Sequence, residues 1–299
     1  MGKRDDVLAT VTKMILLAMS HLGWKHYPEA MAKGQKQAIQ ALMLREVNRG
    51  TVYCVRCSDY PGWGNSREYA YTIRGRRIPK AKGGHLLSVN EVLVCIEMFK
   101  HIPDFPWKII EIVPEYSFSY LDGKFVSNTA EELPDGTVII PDIRVRFLTE
   151  EDEQVIWFVE VDNGTEPILY PKKGYSFDGK NITESDGKHI HDPSSLGFKF
   201  LNYREYINGL VWEKYNPDGK VVAVQNLYVL NSSIRAERLR EAVISLAEKQ
   251  QNFVWILNKG DLDTPFDFWS GKVWNKSVNE PEPFSILNDG MIEIDRFNI

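Results

Sequence analysis

Three acidic residues interrupt otherwise apolar segments in the middle of the chain. Asp142 lies in IIPDIRVRF, and Glu160 and Asp162 lie in the next such segment, VIWFVEVDNG. Carboxylates among Ile, Val, Trp and Phe are costly to desolvate unless a positive charge pairs with them. Because Glu160 and Asp162 are two residues apart, both project from the same face if the segment is a strand. With Asp142 on a neighbouring strand, their oxygens form a ligand set that suits Mg²⁺ or Mn²⁺.

The chemistry expected of such a site is hydrolysis of a phosphodiester. A divalent cation held by carboxylates polarises the phosphate and lowers the pKa of the attacking water. We expect Asp142 and Glu160 to bind the cation, with the backbone carbonyl of Val161 as an additional ligand. The alternatives are that Asp142 faces solvent at a sheet edge and that Glu160 and Asp162 have a structural role.

The elements that must position these acids occur in a defined order. An apolar helix from His85 is followed by three strand-like segments, the second and third of which carry the acids. The later segments alternate between helix and strand: helix 196–215, strand 221–230, helix 234–251 and strand 253–260. This is the order of the PD-(D/E)xK nuclease core. It predicts an α/β fold with a restriction-endonuclease-like mixed sheet over residues 83–299, which a polar insert from Pro167 to Gly197 interrupts.

The first 82 residues predict a separate domain. Helical segments at 6–22, 28–32 and 35–50 precede two strands, TVYCVRC and EYAYTIRG, and then the basic cluster RGRRIPKAK. Three short helices followed by a hairpin is the order of a winged helix-turn-helix, whose third helix enters the DNA groove while the hairpin is the wing. An ordinary small helical domain is the alternative.

The charge of the chain is divided between these two parts. Residues 1–82 contain 15 Lys and Arg against 6 Asp and Glu, whereas the remainder contains 21 against 35. A basic segment suits a phosphate backbone, because each Lys or Arg near DNA releases condensed counterions. Double-stranded DNA is therefore the expected partner, although surface charge also fluctuates along any chain. The candidate DNA contacts are Arg74, Arg76, Arg77, Lys80 and Lys82.

Several segments resemble the replication-relaxation family of bacterial plasmids and mobile elements. These are HLLSVNEVLVCI, PDIRVRF, FVEVDNGTEP, KFLNY and NSSIRAERLREAV, of which FVEVDNGTE is the most specific. The resemblance spans roughly residues 69–260 and implies a winged helix joined to a nuclease-like fold. It also implies that Asp142 and Glu160 are metal-binding acids and that Lys199 is a lysine of the following helix. Tyr203 comes four residues after Lys199 and so lies on the same helical face.

One position departs from the nuclease pattern. A standard site has Lys at the third position of E-x-K, where it steadies the attacking water or the charge of the transition state. This chain has Asp162 there, so either Lys199 replaces that lysine or Asp162 acts as a third carboxylate and proton acceptor. Glu91 and Glu115 are candidates for an additional acid, and Tyr203 is either a core residue or a phosphate contact.

Two functional hypotheses follow from the sequence. In the first, the chain is a Mg²⁺- or Mn²⁺-dependent DNA endonuclease, of the restriction type or for processing of mobile elements, directed to DNA by a winged helix. A homodimer is expected if it cuts both strands at one site, because two active centres are then needed. In the second, the protein is a non-catalytic DNA-binding factor for plasmid replication or transfer that has a relic nuclease fold.

Composition excludes several other classes. The 299 residues are 43% hydrophobic and 26% charged, which is typical of globular chains and predicts two domains, 1–82 and 83–299. No apolar run approaches the roughly 20 residues needed to cross a bilayer, and no apolar signal-peptide region follows MGKRDD. Three cysteines cannot form a disulfide framework for a chain of this length. A cytoplasmic protein without a membrane partner is therefore expected.

Overall fold

The protein has a mixed α/β fold with one large mixed sheet. The structure is a computed structural model that describes residues 2–14, 16–60, 63, 66–73, 80–121, 123–164, 166–168, 175–177, 182–184, 189–190, 195–215, 220–247, 251–277 and 282–290. The chain divides into two compact units. The first comprises Met1–Ile102 with Thr264–Phe266, and the second comprises Pro103–Asp263 with Asp267–Ile299. No helix in the described part of the chain combines the length and the hydrophobicity that spanning a bilayer requires.

The first unit contains helices and a small antiparallel sheet. Its elements are α1 (Lys3–Met14), β1 (Leu17–Ala18), α2 (Met19–His26), α3 (Pro28–Ala32), α4 (Gln37–Asn48), β2 (Val52–Arg56), β3 (Tyr69–Ile73) and α5 (Lys80–Glu97). The strand order is β1-β3-β2. Gly50 follows the end of α4 at a φ of +71°, a conformation that a glycine adopts without strain and that commonly terminates helices. The chain can therefore turn directly from α4 into the β2–β3 hairpin.

An ion pair between the exposed side chain of Arg4 and the buried carboxylate of Glu46 joins the first helix of this unit to the fourth. Val7 and Val11 of α1 and Ile39 of α4 are buried apolar residues. The carboxylate of Glu46, which is also fully buried, accepts hydrogen bonds from Arg4 Nε at 2.8 Å and from Arg4 Nη2 at 2.9 Å. These bonds lower the pKa of Glu46 to about 2. Glu46 therefore stays ionised at any ordinary pH and holds α1 against α4.

The division between the units differs from the predicted boundary between residues 82 and 83. Helix α5 begins at Lys80, and its contacts place the whole helix in the first unit. The side-chain amide of its buried Asn90 donates a hydrogen bond to the carbonyl of Met14, at the end of α1, at 2.9 Å. A helix end leaves carbonyls that need donors, and Asn90 supplies one. The helix that we expected to open the nuclease core is thus part of the first unit.

The second unit is organised around a six-stranded sheet. Its elements are β4 (Lys108–Pro114), β5 (Phe118–Leu121), β6 (Lys124–Ser127), β7 (Glu131–Glu132), β8 (Val138–Ile139), β9 (Ile143–Leu148), β10 (Gln154–Asp162), β11 (Tyr175–Phe177), β12 (Ile182–Glu184), β13 (His189–Ile190), α6 (Leu196–Asn208), β14 (Val221–Leu230), α7 (Ser233–Ala247), β15 (Gln251–Asn258), α8 (Asp267–Ser270) and β16 (Trp274–Ser277). The strand order in the large sheet is β16-β15-β14-β10-β9-β4. In the predicted polar insert, β11, β12 and β13 form a small antiparallel sheet.

The two crossover helices of this unit cover the same face of the sheet. Strands β10, β14 and β15 are parallel neighbours, and α6 and α7 provide the crossover connections that parallel strands require. Apolar side chains of both helices pack into one cluster with Tyr228 of β14 and Ile256 of β15. On the opposite face the indole rings of Trp157, Trp255 and Trp269 form an aromatic cluster. Strand β10 is therefore buried on both sides, as its continuous apolar sequence predicts.

Candidate active site

The carboxyl end of β10 presents two acids toward the helices. Along this strand Ile156 and Phe158 pack into a cluster with Tyr203 and Tyr206 of α6. Because side chains alternate between the faces of a strand, the next positions on that face belong to Glu160 and Asp162. Glu160 contacts α6 and Asp162 contacts α7. Both acids thus lie on the helix-covered face, as their spacing predicts.

Glu160 is held by two side chains of α6. Its carboxylate is 2% exposed. Oε2 accepts a hydrogen bond from Lys199 Nζ at 2.8 Å, and Oε1 accepts one from the hydroxyl of Tyr203. Lys199 and Tyr203 are four residues apart and so reach Glu160 from one face of the helix. The structure therefore brings Glu160 together with Lys199, which the family resemblance implies as a site residue, and with Tyr203 from the same helical face.

The charge of Glu160 is balanced between opposing influences. Burial raises the pKa of its carboxyl to about 7; the nearby charge of Asp142 adds to the rise, and the Lys199 ammonium opposes it. For Lys199 itself, burial alone would lower the pKa, but Glu160, Asp142 and Glu166 outweigh it and hold the pKa above its usual value. Lys199 therefore remains a cation, whereas Glu160 is close to its point of protonation near neutral pH.

Asp142 adjoins Glu160 from the neighbouring strand. It comes directly before β9, is 4% exposed, and its Oδ2 accepts a hydrogen bond from the backbone N–H of Val161 at 2.6 Å. The N–H and C=O of one strand residue face the same neighbouring strand. The carbonyl of Val161, which the sequence suggested as a ligand, therefore lies on the side of β10 that faces Asp142.

Glu115 is the additional acid that the second unit brings to this place. It follows the last residue of β4, and its backbone N–H donates to the carbonyl of Asp142 at 2.8 Å. A carboxylate oxygen of Glu115 and one of Asp142 lie within 4.8 Å of each other. Glu91, the other candidate, lies on α5 in the first unit. Glu115 is thus the predicted accessory acid that the structure places beside Asp142.

Asp162 has a different partner from Glu160. Its Oδ2 accepts a hydrogen bond from Nε of Arg235 in the first turn of α7, and its Oδ1 accepts one from the N–H of Gly164 at 2.9 Å. Asp162 is therefore paired with an arginine, and the assignment of the E-x-K lysine's role to Lys199 or to Asp162 stays a prediction. Asp162 anchors the start of α7 to the end of β10.

Glu166 contacts Lys199, although no pattern in the sequence singled it out. Its Oε1 accepts a hydrogen bond from Lys199 Nζ at 2.9 Å, so Lys199 bridges Glu160 and Glu166. Burial raises the pKa of Glu166, and the Lys199 ammonium opposes the rise. The chain reverses toward α6 after Gly164, whose φ is +84°. The available signal was the segment DNGTE, in which a turn-forming Asn-Gly pair is followed closely by an acid.

The predicted DNA contacts fall largely outside the described residues. Arg74, Arg76 and Arg77 lie beyond them, and Lys80 is the first residue of α5. Lys82, in the first turn of the same helix, is exposed. The structure therefore establishes the exposure of Lys82 alone, and the role of the cluster stays a prediction.

No family model, curated protein or solved structure matches this chain.

Two acids of the site offer carboxylate oxygens close enough together to contact one cation. These are Asp142 and Glu115, and carboxylate oxygens are the ligands that Mg²⁺ and Mn²⁺ prefer. Glu160 is buried beside Asp142, and both of its oxygens accept hydrogen bonds from α6. Two of these acids are buried next to each other, and the charge of one disfavours ionisation of the other, a repulsion that a divalent cation relieves. Two buried oxygens nearby, Glu166 Oε2 and the hydroxyl of Tyr228, have no hydrogen-bond partner among the described residues. The site therefore has more negative and acceptor groups than its cations satisfy.

Proposed function

We propose that the chain is a divalent-metal-dependent DNA endonuclease. The observation that carries the proposal is the meeting of Asp142, Glu160 and Lys199 at the end of β10. Two acids, one in β10 and one directly before β9, can hold a divalent metal for phosphodiester hydrolysis, and a lysine beside them can stabilise developing negative charge. The order of elements around them, three antiparallel strands followed by two helix–strand crossovers, supports assignment to the PD-(D/E)xK class.

Each residue of the site has a distinct task in this proposal. Asp142, Glu160 and Glu115 would hold Mg²⁺ or Mn²⁺, which when bound polarises the phosphate and favours ionisation of water. Lys199, at 2.8 Å from Glu160, is positioned to donate a hydrogen bond to the attacking water or to a phosphate oxygen. Tyr203 orients the Glu160 carboxylate through its hydroxyl. Arg235 and Asp162 fix the turn that carries Glu166 to Lys199.

The first unit would deliver this site to duplex DNA. Its element order, with three helices after β1 and then the β2–β3 hairpin, and its strand order β1-β3-β2 support a winged helix-turn-helix with α4 as the recognition helix. In α4, Leu44 is 62% exposed, while Ile39 and Met43 face the core. The helix therefore has one face available for a groove. A homodimer remains part of the proposal if both strands are cut.

A non-catalytic DNA-binding factor for plasmid replication or transfer is the second candidate. The observation that favours it is that Lys199 and Tyr203 already satisfy both oxygens of Glu160, while Arg235 neutralises Asp162. A relic site could persist as such an ion-pair cluster. Incubating supercoiled plasmid with the protein in Mg²⁺ and in EDTA separates the two functions. Nicked or linear product only with Mg²⁺ supports the endonuclease, and intact plasmid in both supports the binding factor.

Removing the basic cluster tests the DNA-binding part of the proposal. We expect the triple change Arg74→Gln, Arg76→Gln and Arg77→Gln to weaken duplex binding at every sequence. The slope of log affinity against log salt should fall by about 2 to 3, since each phosphate contact contributes about 0.9. Fluorescence anisotropy across a salt series measures both quantities.

A matched variant controls for net charge. Lys108→Gln, Lys259→Gln and Lys272→Gln remove the same three charges from the second unit. If both triple variants change the slope equally, total charge rather than the cluster determines DNA binding.

A further inference from the structure

An exposed aromatic surface rises from a hairpin of the second unit. In the β5–β6 ribbon, Phe118 lies opposite Ser127 and Tyr120 lies opposite Phe125. By the alternation of a strand, the rings of Phe118, Tyr120 and Phe125 share one face. They are 57%, 66% and 77% exposed, and the centroids of Tyr120 and Phe125 are 5.1 Å apart. We call these three side chains the aromatic ribbon.

A hairpin of this kind is not expected to expose three rings without a reason. Two-stranded ribbons are marginally stable in water, and contiguous exposed apolar patches on proteins mark sites of interaction. The opposite face of the β5–β6 hairpin carries smaller side chains, among them Ser119 and Val126, and Val126 is 38% exposed. The aromatic ribbon is therefore a candidate contact surface rather than part of the core.

The base of the β5–β6 hairpin is hydrogen-bonded to the backbone that carries Glu115 and Asp142. Ser127 Oγ donates to the carbonyl of Glu115 at 2.7 Å, and the N–H of Glu115 donates to the carbonyl of Asp142 at 2.8 Å. Phe118 is three residues beyond Glu115, a separation that a chain covers in about 10 Å at most. Successive phosphates of one strand in a duplex are about 3.4 Å apart along the axis. Phe118, the ring nearest the base of the hairpin, thus lies within a few nucleotides of any phosphodiester held at Asp142.

The size of the surface decides between a protein partner and nucleobases. Each aromatic side chain buries about 150–250 Å² when covered, so three partly exposed rings offer roughly 300–500 Å². A stable protein interface needs about 800 Å² on each partner. A base, in contrast, needs only one ring on which to stack, and every base has a face that can stack on an aromatic ring. The ribbon segment FSYLDGKFVS has one Lys and one Asp, which matches stacking better than phosphate binding.

We propose that Phe118, Tyr120 and Phe125 form a stacking platform for unpaired bases of the strand whose backbone lies at Asp142 and Glu160. This inference rests on the proposed nuclease function and specifies its substrate class. The substrate is DNA with a single-stranded portion next to the cut, such as a branch, a bubble or an opened duplex. The first unit binds the duplex part, and the aromatic ribbon binds the unpaired part.

Binding of labelled oligothymidine and of a duplex of equal length, measured by anisotropy in EDTA, tests this inference. The change of Phe118, Tyr120 and Phe125 together to Ala should weaken single-strand binding about tenfold or more, since each stacked base contributes appreciably. Duplex binding should weaken less than about threefold, because its phosphate contacts are elsewhere. Val138→Ala, which alters an exposed apolar residue of the same unit, should change neither affinity.

Two further variants keep the test decisive. If the triple variant misfolds, the single change Phe125→Ala replaces it in the test. This change removes a ring that is 77% exposed, so it leaves the core intact. Phe125→Trp should retain single-strand affinity, because it keeps a stacking surface. Equal weakening on both DNAs, unchanged single-strand affinity, or a wild-type dimer that the triple variant converts to a monomer would each overturn the inference. If the wild-type protein binds neither DNA, the proposed function is overturned as well. If the protein cleaves plasmid but its single-strand affinity does not depend on the three rings, only the stacking platform is overturned.

Discussion

Changing Glu160 to Gln should abolish metal-dependent cleavage while leaving DNA binding intact. The substitution keeps the shape of the side chain and its contact with Tyr203 but removes the charge that holds a divalent cation. Loss of the contribution of the metal, which is several kcal/mol, lowers the cleavage rate by about a thousandfold or more. Asp142→Asn should have an effect of the same size. The measurement is the initial rate of plasmid nicking in Mg²⁺, beside duplex affinity from anisotropy.

The matched control for these changes is Glu132→Gln. Glu132 is an exposed acid of β7 in the same unit, and its conversion to an amide alters the net charge by the same amount. We expect the wild-type rate from it. Wild-type activity in Glu160→Gln or Asp142→Asn would show that the active site is not at β10. Loss of DNA binding together with loss of activity would indicate a folding defect instead.

Replacing Lys199 by Met should separate catalysis from metal binding. Without the ammonium, the attacking water or the phosphate loses a positioned donor, which corresponds to a loss of about 10²- to 10³-fold in rate. The same change leaves Glu160 and Glu166 free of their shared cation, so affinity for Mn²⁺ should be kept or raised. Lys199→Arg, which preserves the charge in a different geometry, should give an intermediate rate.

The stability of the Lys199→Met variant provides a second measurement. Removing one partner of a largely buried ion pair lowers the free energy of unfolding by up to about 3–5 kcal/mol at a pH where Glu160 stays ionised, and by less where Glu160 takes up a proton. We expect this full loss of unfolding free energy in EDTA. In Mg²⁺ we expect a smaller loss, because the divalent cation takes the place of the ammonium. Lys220→Met, which removes an exposed pair with Asp152, should lower stability by about 1 kcal/mol or less in both conditions. Equal losses for Lys199→Met with and without Mg²⁺ would contradict a metal site at Glu160.

The two acids of β10 could be predicted because a strand has a simple period. Ile156, Phe158, Glu160 and Asp162 occupy alternate positions, so the shared face follows from sequence spacing alone. The neighbouring position of Asp142 follows from the antiparallel pairing of consecutive strands, which the polar loop between them permits. For these residues the local pattern and the tertiary arrangement agree.

The contacts of Lys199, Glu166 and Arg235 depend on the tertiary fold. Arg235 reaches Asp162 only because two crossovers place the starts of α6 and α7 at the same end of the sheet. Glu166 reaches Lys199 only because the chain turns at Gly164. No periodicity in the sequence encodes either arrangement. Lys199 itself was indicated by family resemblance rather than by spacing.

Two features of organisation also escaped the sequence patterns. The apolar helix α5 was expected to start the second domain. The sequence of an apolar helix does not indicate which of two cores the helix packs into, so this assignment failed. The contacts of α5, including the bond from Asn90 to Met14, assign it to the first unit. The chain between α5 and Asp142 was expected to contain one strand-like segment. It contains β4 and then the β5–β6 ribbon, whose two strands are separated in the sequence by Asp-Gly, a pair that favours a hairpin turn.

Calorimetric titration of Mn²⁺ into the protein tests the central claim most directly. The titration is carried out at about pH 8, above the pKa of about 7 of the Glu160 carboxyl, so that this acid is ionised. We predict saturable binding by the wild-type protein that Asp142→Asn and Glu160→Gln abolish and that Glu132→Gln retains. Affinity should weaken as the pH falls below about 7, because protons then compete for Glu160. An absence of saturable binding to the wild-type protein, or binding that both site variants keep, would contradict the account.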